Sequence, residues 1–279
     1  MKIIRDTIKA NTLIYAGLTL LIVLPASAVT LVDRGLPTAN LNNAAGGNRS
    51  NVAWADSESS SSPSEYWIPG DSFAISGSGT YQVTDIRVWE VANGPTAPGY
   101  LPTGQSLLGG LASGSTFSQI DSGYTVTPVT YSDGSTYQGQ SGNYWNLYQL
   151  DFSVNLTLAA GQTYNFFLNS PFVAGDASGS TYYNAFLHAS NAALSGSPQD
   201  GSDGTFLWLD VNGASQTVQT WDSGTGAGTA GFPAGWDKNS DGNVQVFGSS
   251  VPDSANTLAL FGFSLVGLAL LRQKLELVK

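Results

Sequence analysis

Strict alternation of apolar and polar residues is the strongest pattern in the chain, and it runs from Tyr148 to Leu158. Period-two alternation of this length predicts a half-buried antiparallel β-strand. A short turn at 160–162 follows, after which Tyr164, Phe166 and Leu168 resume the alternation. We therefore expect these two strands to form a β-hairpin.

Further strand-like segments are separated by stretches rich in glycine, serine and asparagine. They are Asp71–Ser76, Thr80–Val91, Tyr124–Tyr131, Tyr182–His188, Phe206–Val211 and Val244–Gly248. Within the second of these the alternation changes phase near Asp85, which predicts a bulge or a strand that switches sheets. We find neither an amphipathic helix nor a repeat between them. The pattern predicts an all-β fold, a two-sheet antiparallel sandwich of jelly-roll-like arrangement, as one domain over residues 29–250.

The first 28 residues have the organisation of a signal peptide. Positive charges at Lys2, Arg5 and Lys9 precede an apolar stretch from Leu13 to Leu24. The small residues Ala26 and Ala28 then form a signal peptidase site. Because the apolar stretch is shorter than the ~20 residues of a comfortable membrane span, we expect cleavage after Ala28 rather than anchoring.

The last residues form a second apolar segment, Leu258–Leu271, followed by Arg272 and Lys274. With residues 255–257 added, and with the basic side chains reaching towards the headgroups, a thin transmembrane helix over 255–271 is predicted, with a basic end at 272–279. The basic end would remain in the cytoplasm. The alternative is a terminal core helix. That alternative fits less well, because the segment has no polar face.

Several residues of this tail fall in the order of a known sorting signal. They are Val251, Pro252, Asp253 and Ser254, then Thr257–Leu260, Gly262, Gly267, Leu268, Arg272 and Lys274. The tail, residues 251–279, resembles the PEP-CTERM sorting domain in its VPDSG-type variant, although Ala255 stands where that variant usually has glycine. The resemblance implies an exosortase substrate, cleaved near the Pro-Asp-Ser motif. It also implies delivery through the inner membrane to the cell envelope or to an extracellular matrix of the kind found in biofilms.

The charge of the predicted domain restricts its partners. Residues 29–250 carry four basic and 17 acidic side chains, a net formal charge of −13. Nucleic acid and anionic lipid are therefore poor partners for this domain, because phosphate binding requires clustered Lys or Arg, and we expect no nucleic acid partner. The chain has no cysteine, which excludes both a disulfide framework and thiolate chemistry.

Catalytic motifs find little support. His188 is the one histidine, and no Gly-x-Ser-x-Gly elbow occurs in residues 29–250. We interpret His188 as a strand residue with a satisfied hydrogen bond, and the protein as a non-enzyme. A secreted hydrolase is the weakest alternative.

One acidic loop is a candidate metal site. Oxygen ligands at Asp237, Asn239, Asp241 and Asn243 surround Gly242, as at the start of a Ca²⁺-binding loop where the chain turns sharply. Position twelve of such a loop is Gly248 instead of an acid, which excludes an EF-hand. The alternatives are a Ca²⁺ site completed by a remote carboxylate and an ordinary acidic turn.

Indole side chains suggest a second kind of ligand. Trp54, Trp67, Trp221 and Trp236 lie in sequence typical of loops, where exposed indoles can stack on sugars. Our leading hypothesis is an envelope or matrix protein of structural or adhesive type. The alternative is a carbohydrate-binding module for exopolysaccharide.

Overall fold

The protein is described by a computed structural model. The structure describes residues 28–37, 65–94, 104–129, 144–170, 185–188, 206–221 and 242–251, together with helical residues 262, 264–269 and 272–273.

Twelve strands make up most of this part of the chain. They are β1 Val29–Asp33, β2 Glu65–Ala74, β3 Thr80–Gly94, β4 Ser106–Leu111, β5 Ser118–Gln119, β6 Asp121–Val129, β7 Tyr144–Ala159, β8 Thr163–Asn169, β9 Ala185–Leu187, β10 Phe206–Asn212, β11 Ser215–Trp221 and β12 Val244–Ser250. The first sheet has the order β1-β12-β3-β7-β6, with β9 also paired to β3. The second sheet has the order β11-β10-β2-β8-β4-β5. The all-β prediction with two antiparallel sheets is confirmed.

The two sheets share one hydrophobic core. Its buried side chains come from alternate positions of the first sheet, such as Ile86 and Phe152, and of the second sheet, such as Phe73 and Phe166. This is why strict alternation runs along β7, since one side of that strand lies on the core and the other faces away. A second cluster includes Ile68, Phe167 and Leu209, and the two strand neighbours of Phe167, Phe166 and Leu168, belong to the shared core.

The predicted hairpin of β7 and β8 is wrong. The strand β7 pairs with β3 and β6 in the first sheet, whereas β8 pairs with β2 and β4 in the second. The turn between them donates its backbone N–H groups to a different turn, from Ala160 to Gly79 O and from Gly161 to Ile75 O. Alternation shows which side of a strand is apolar. A turn that connects two strands in different sheets is as compatible with this pattern as a hairpin is.

The phase change near Asp85 is a β-bulge. The register of β3 against β7 shifts between Val83 and Asp85. The facing strand β12 shifts between Phe247 and Gly248. A Cβ atom on Gly248 would lie 2.2 Å from Gln82 O, so only glycine fits where the bulged strands approach this closely.

Strand β2 begins earlier than the predicted Asp71–Ser76. It includes Pro69 and Gly70, two residues that predict a strand end. A Cβ atom on Gly70 would lie 2.1 Å from Phe166 O and 2.3 Å from the Phe167 ring, so the aromatic side chain explains the glycine. The assignment of Trp67 and Trp221 to loops is also wrong, because they lie in β2 and β11.

The C-terminal tail is described at only a few positions. Residues 264–269 are helical, and Leu265, Val266 and Leu268 each expose more than half of their surface. No helix within the described residues has the length and apolar character needed to cross a membrane. Most of the predicted span 255–271 lies outside the described residues.

Candidate functional site

A buried ion pair joins the two sheets. Arg34 follows β1 and points to the interior, as does Val32 two residues before it. Asp71 on β2 also points to the interior, as does Phe73 two residues after it. Arg34 Nη1 lies 2.9 Å from Asp71 Oδ2, and both side chains are fully buried. Arg34 Nη2 also donates to the carbonyl oxygen of Ser72. Because buried charges are costly unless each is paired and hydrogen-bonded, this pair fixes the end of β1 against the second sheet.

The same carboxylate holds the chain just before β12. Gly242 N donates to Asp71 Oδ2 at 2.5 Å, and Ser72 N donates to Asp71 Oδ1 at 2.6 Å. Gly242 is not among the positive-φ glycines and forms a β-bridge, while residues 237–241 of the predicted turn lie outside the described residues. A Cβ atom there would lie 3.3 Å from Leu187 Cδ2, which leaves little room for a larger residue.

Asn243 and His188 extend this network. Asn243 Nδ2 donates to Arg34 O at 3.3 Å and to Gly35 O at 3.0 Å. The two carbonyl acceptors fix the amide orientation, so Oδ1 is the atom that lies 2.8 Å from His188 Nδ1. His188 therefore carries a proton on Nδ1 and donates it to Asn243. Both side chains are fully buried, which agrees with our interpretation of His188 as a hydrogen-bonded strand residue.

A second polar cluster surrounds Glu90, which continues the inward series of Ile86 and Val88. Ser170 Oγ donates to Glu90 Oε2 at 3.2 Å, and Gln105 Nε2 donates to Oε1 at 3.4 Å. The other end of the Gln105 amide accepts from Tyr124 Oη at 2.9 Å. Glu90 is completely buried, and this desolvation raises its pKa from 4.5 to about 8 against the opposing effect of the two hydrogen bonds.

The outer face of the first sheet carries a row of partly exposed polar groups. Arg87 Nε donates to Asp151 Oδ1 at 2.5 Å, with both side chains about a quarter exposed. Gln149 Nε2 donates to Asp151 Oδ2 within β7, and Arg87 Nη1 donates to Gln245 Oε1 on the neighbouring strand β12. The guanidinium lies 5.1 Å from the centroid of the Phe247 ring. The row is a mixed surface of amides, charges and one aromatic ring.

Only one of the four predicted calcium ligands, Asn243, lies within the described residues. Asn243 has its side chain engaged with His188 and two carbonyl groups, whereas Asp237, Asn239 and Asp241 lie outside the described residues. No group of three or more His, Asp or Glu side chains within the described ranges is arranged to hold a metal ion. The Ca²⁺ site stays a prediction for the undescribed loop.

The predicted processing residues flank the body. Ala28 precedes β1 and is exposed, and Val251 directly follows β12. Val251 N donates to Thr80 O at 2.8 Å, so the pairing of the first sheet reaches the first residue of the motif. Arg272 is helical and exposed. Ala26, Pro252, Asp253, Ser254 and Lys274, with Trp54 and Trp236, lie outside the described residues.

Sequence reasoning missed the interior polar clusters. A signal was present at Glu90, which falls on the apolar phase of β3, and at Asp71, which falls on the apolar phase of β2. A charged residue on the buried phase of a strand indicates an interior hydrogen-bond network.

Comparisons with known proteins add no relative. No family model matches the chain, and no curated protein or solved structure matches it.

Proposed function

We propose that this chain is an exported, non-enzymatic envelope or matrix protein whose tail is cut by an exosortase. The observation that supports it most is the position of the motif. The last described strand of the body ends at Ser250. Val251 N still donates a hydrogen bond to Thr80 O, and the Pro-Asp-Ser motif follows directly. A cut there leaves every described strand with the body.

The tail's exposed side chains support the same proposal. Leu265, Val266 and Leu268 are 51–57% exposed, which is unusual for apolar side chains of a terminal core helix. Their exposure favours a segment whose apolar surroundings are lipid and not the core of the body. We propose a thin membrane span over 255–271 before processing, and a signal helix in the first 28 residues that is removed after Ala28.

The strand order supports a jelly-roll sandwich as the body's architecture. Strands pair in nested sets, β1 with β12, β2 with β8, β3 with β7 and β4 with β5. Successive sets alternate between the two sheets, as when one long antiparallel ribbon is rolled up. The strand β6 and the hairpin β10–β11 extend the two sheets at their edges.

Mass spectrometry of the mature C-terminus tests the function. With the exosortase present we expect a new C-terminus within or next to residues 251–254, and without it the intact tail. Asp253→Ala should abolish the cut, whereas Thr84→Ala, an exposed change on β3, should leave it unchanged. Recovery of the same C-terminus in the absence of the enzyme would refute the proposal.

Carbohydrate binding is a second candidate, favoured by the polar row around Arg87 and Phe247. Amides, a carboxylate and an aromatic ring on one partly exposed surface suit the hydroxyl groups and apolar faces of a sugar. Affinity electrophoresis in exopolysaccharide gels should show retardation that Phe247→Ala weakens and Thr84→Ala does not. Equal mobility with and without polysaccharide would exclude it.

A further inference from the structure

The two ends of the folded body lie side by side. Val29 on β1 is opposite Gly248 on β12, in adjacent antiparallel strands. Since neighbouring strands are about 4.8 Å apart and each residue adds about 3.4 Å, Val251 lies roughly 11 Å from Val29. Both apolar segments of the chain are therefore connected to one corner of the body.

Three turns belong to the same end. Ala160 and Gly161 donate to Gly79 O and Ile75 O, which joins the β7–β8 turn to the β2–β3 turn. Ala112 N donates to Thr163 O at 3.0 Å, which adds the turn after β4. We name this surface the basal end, defined as residues 28–31, 75–80, 111–117, 159–163 and 249–251.

The basal end differs from the rest of the body in its chemistry. Its five segments contain no charged residue, although residues 29–250 carry a net charge of −13. The large apolar side chains exposed on the described body are Val29, Leu36, Leu111 and Val251, at 41–53%. All except Leu36 belong to the basal end. An uncharged surface with exposed apolar side chains is what an acidic protein needs in order to approach anionic headgroups without repulsion.

We propose that the basal end is the surface with which the body rests on a lipid bilayer before processing. This inference rests on the proposed function, because it requires the apolar segments to enter the membrane. Five residue steps separate Leu24 from Val29 and seven separate Val251 from Leu258. Even fully extended, these connections span at most about 18 and about 25 Å. Two short connections from one corner hold the basal end towards the headgroups and the opposite end away from them.

The absence of cysteine permits a direct test with single-cysteine variants of the full chain. Ser78→Cys lies in the basal end, and Ala214→Cys lies in the β10–β11 turn at the other end; both positions are exposed. Each variant is labelled with the fluorophore NBD and incorporated into phosphatidylcholine–phosphatidylglycerol vesicles that contain a headgroup nitroxide lipid. We expect quenching to be severalfold stronger at position 78 than at position 214.

A charge placed in the basal end gives an independent measurement. Leu111→Glu should reduce the quenching at position 78, whereas Leu36→Glu, which is similarly exposed outside the basal end, should not. Flotation with the vesicles separates the two proposals. If the protein floats but both labels are quenched equally, the orientation is refuted while the membrane anchor stands. If the protein does not float, both the orientation and the membrane anchor are refuted. Cross-links between position-78 cysteines of two copies would assign the basal end to self-association and overturn the inference.

Discussion

Replacing Glu90 with glutamine should change how the stability of the protein depends on pH. Glutamine has the shape of the protonated acid but cannot ionise. In the folded protein, burial raises the pKa of Glu90 from 4.5 to about 8, while in the unfolded chain the carboxyl ionises in water. The favourable state of Glu90 is therefore the neutral one. Its stability contribution is fully present below pH 4.5, decreases as the pH rises, and is lost once the pH passes about 8.

The size of the effect follows from the two pKa values. Each pH unit between them costs the folded state about 1.4 kcal/mol, which gives about 5 kcal/mol over the whole interval. This is an upper limit, because water that enters the site would reduce it. A typical domain has an unfolding free energy of about 5–15 kcal/mol, so even half of this effect is measurable.

Urea unfolding followed by tryptophan fluorescence at pH 5, 6.5 and 8 is a suitable assay. Glu90→Gln should match the wild type at pH 5 and be the more stable protein by several kcal/mol at pH 8. Ser170→Ala removes a hydrogen bond that lowers the pKa of Glu90, so it should make the wild-type decline extend to higher pH. Parallel pH profiles for the wild type and Glu90→Gln would refute the reasoning.

Three further substitutions test the interior contacts by the shift of the urea midpoint. Asp71→Asn removes the carboxylate that pairs with the buried Arg34 and should cost about 3–5 kcal/mol, part of which Arg34→Met should restore in the double variant; a loss below about 1 kcal/mol would contradict the pairing. Asn243→Asp removes both donors to Arg34 O and Gly35 O and should cost about 1–3 kcal/mol, and an unchanged midpoint would show that the amide is oriented differently. Gly70→Ala forces a methyl group against Phe166 O and the Phe167 ring and should cost about 1–3 kcal/mol. Gly262→Ala, in open space on the tail, is the control, and similar urea midpoints for the two variants would disprove the close packing.

The sequence predicted the strands that have long alternating segments, but not which strands are neighbours. Tyr148–Leu158 lies within β7, and the phase change at Asp85 is the bulge of β3. The wrong hairpin arose because alternation describes one strand's two sides and contains no information about its partner. Strands β1, β4, β5 and β11 were not predicted; β5 has only two residues, and β4 has two consecutive glycines, Gly109 and Gly110.

Interior charges could not be predicted with their partners. Arg34 and Asp71 are 37 positions apart, and nothing in their local sequence pairs them. Their contact depends on β1 and β2 lying in opposite sheets that face one core, which only the tertiary structure determines. The sorting motif that we propose for the tail could be predicted for the opposite reason, since a linear signal is recognised from consecutive residues.

The place of β12 between β1 and β3 has a consequence for folding during synthesis. The first strand of the chain finds its sheet partner only in the last strand, more than 200 residues later. Until residue 250 has emerged, β1 has no neighbour in its sheet and β3 lacks one of its own. Pairing over such separations is slow, because a long loop must close first. If the chain is exported, as we propose, its first sheet stays incomplete for as long as its final strand remains on the side where it was made.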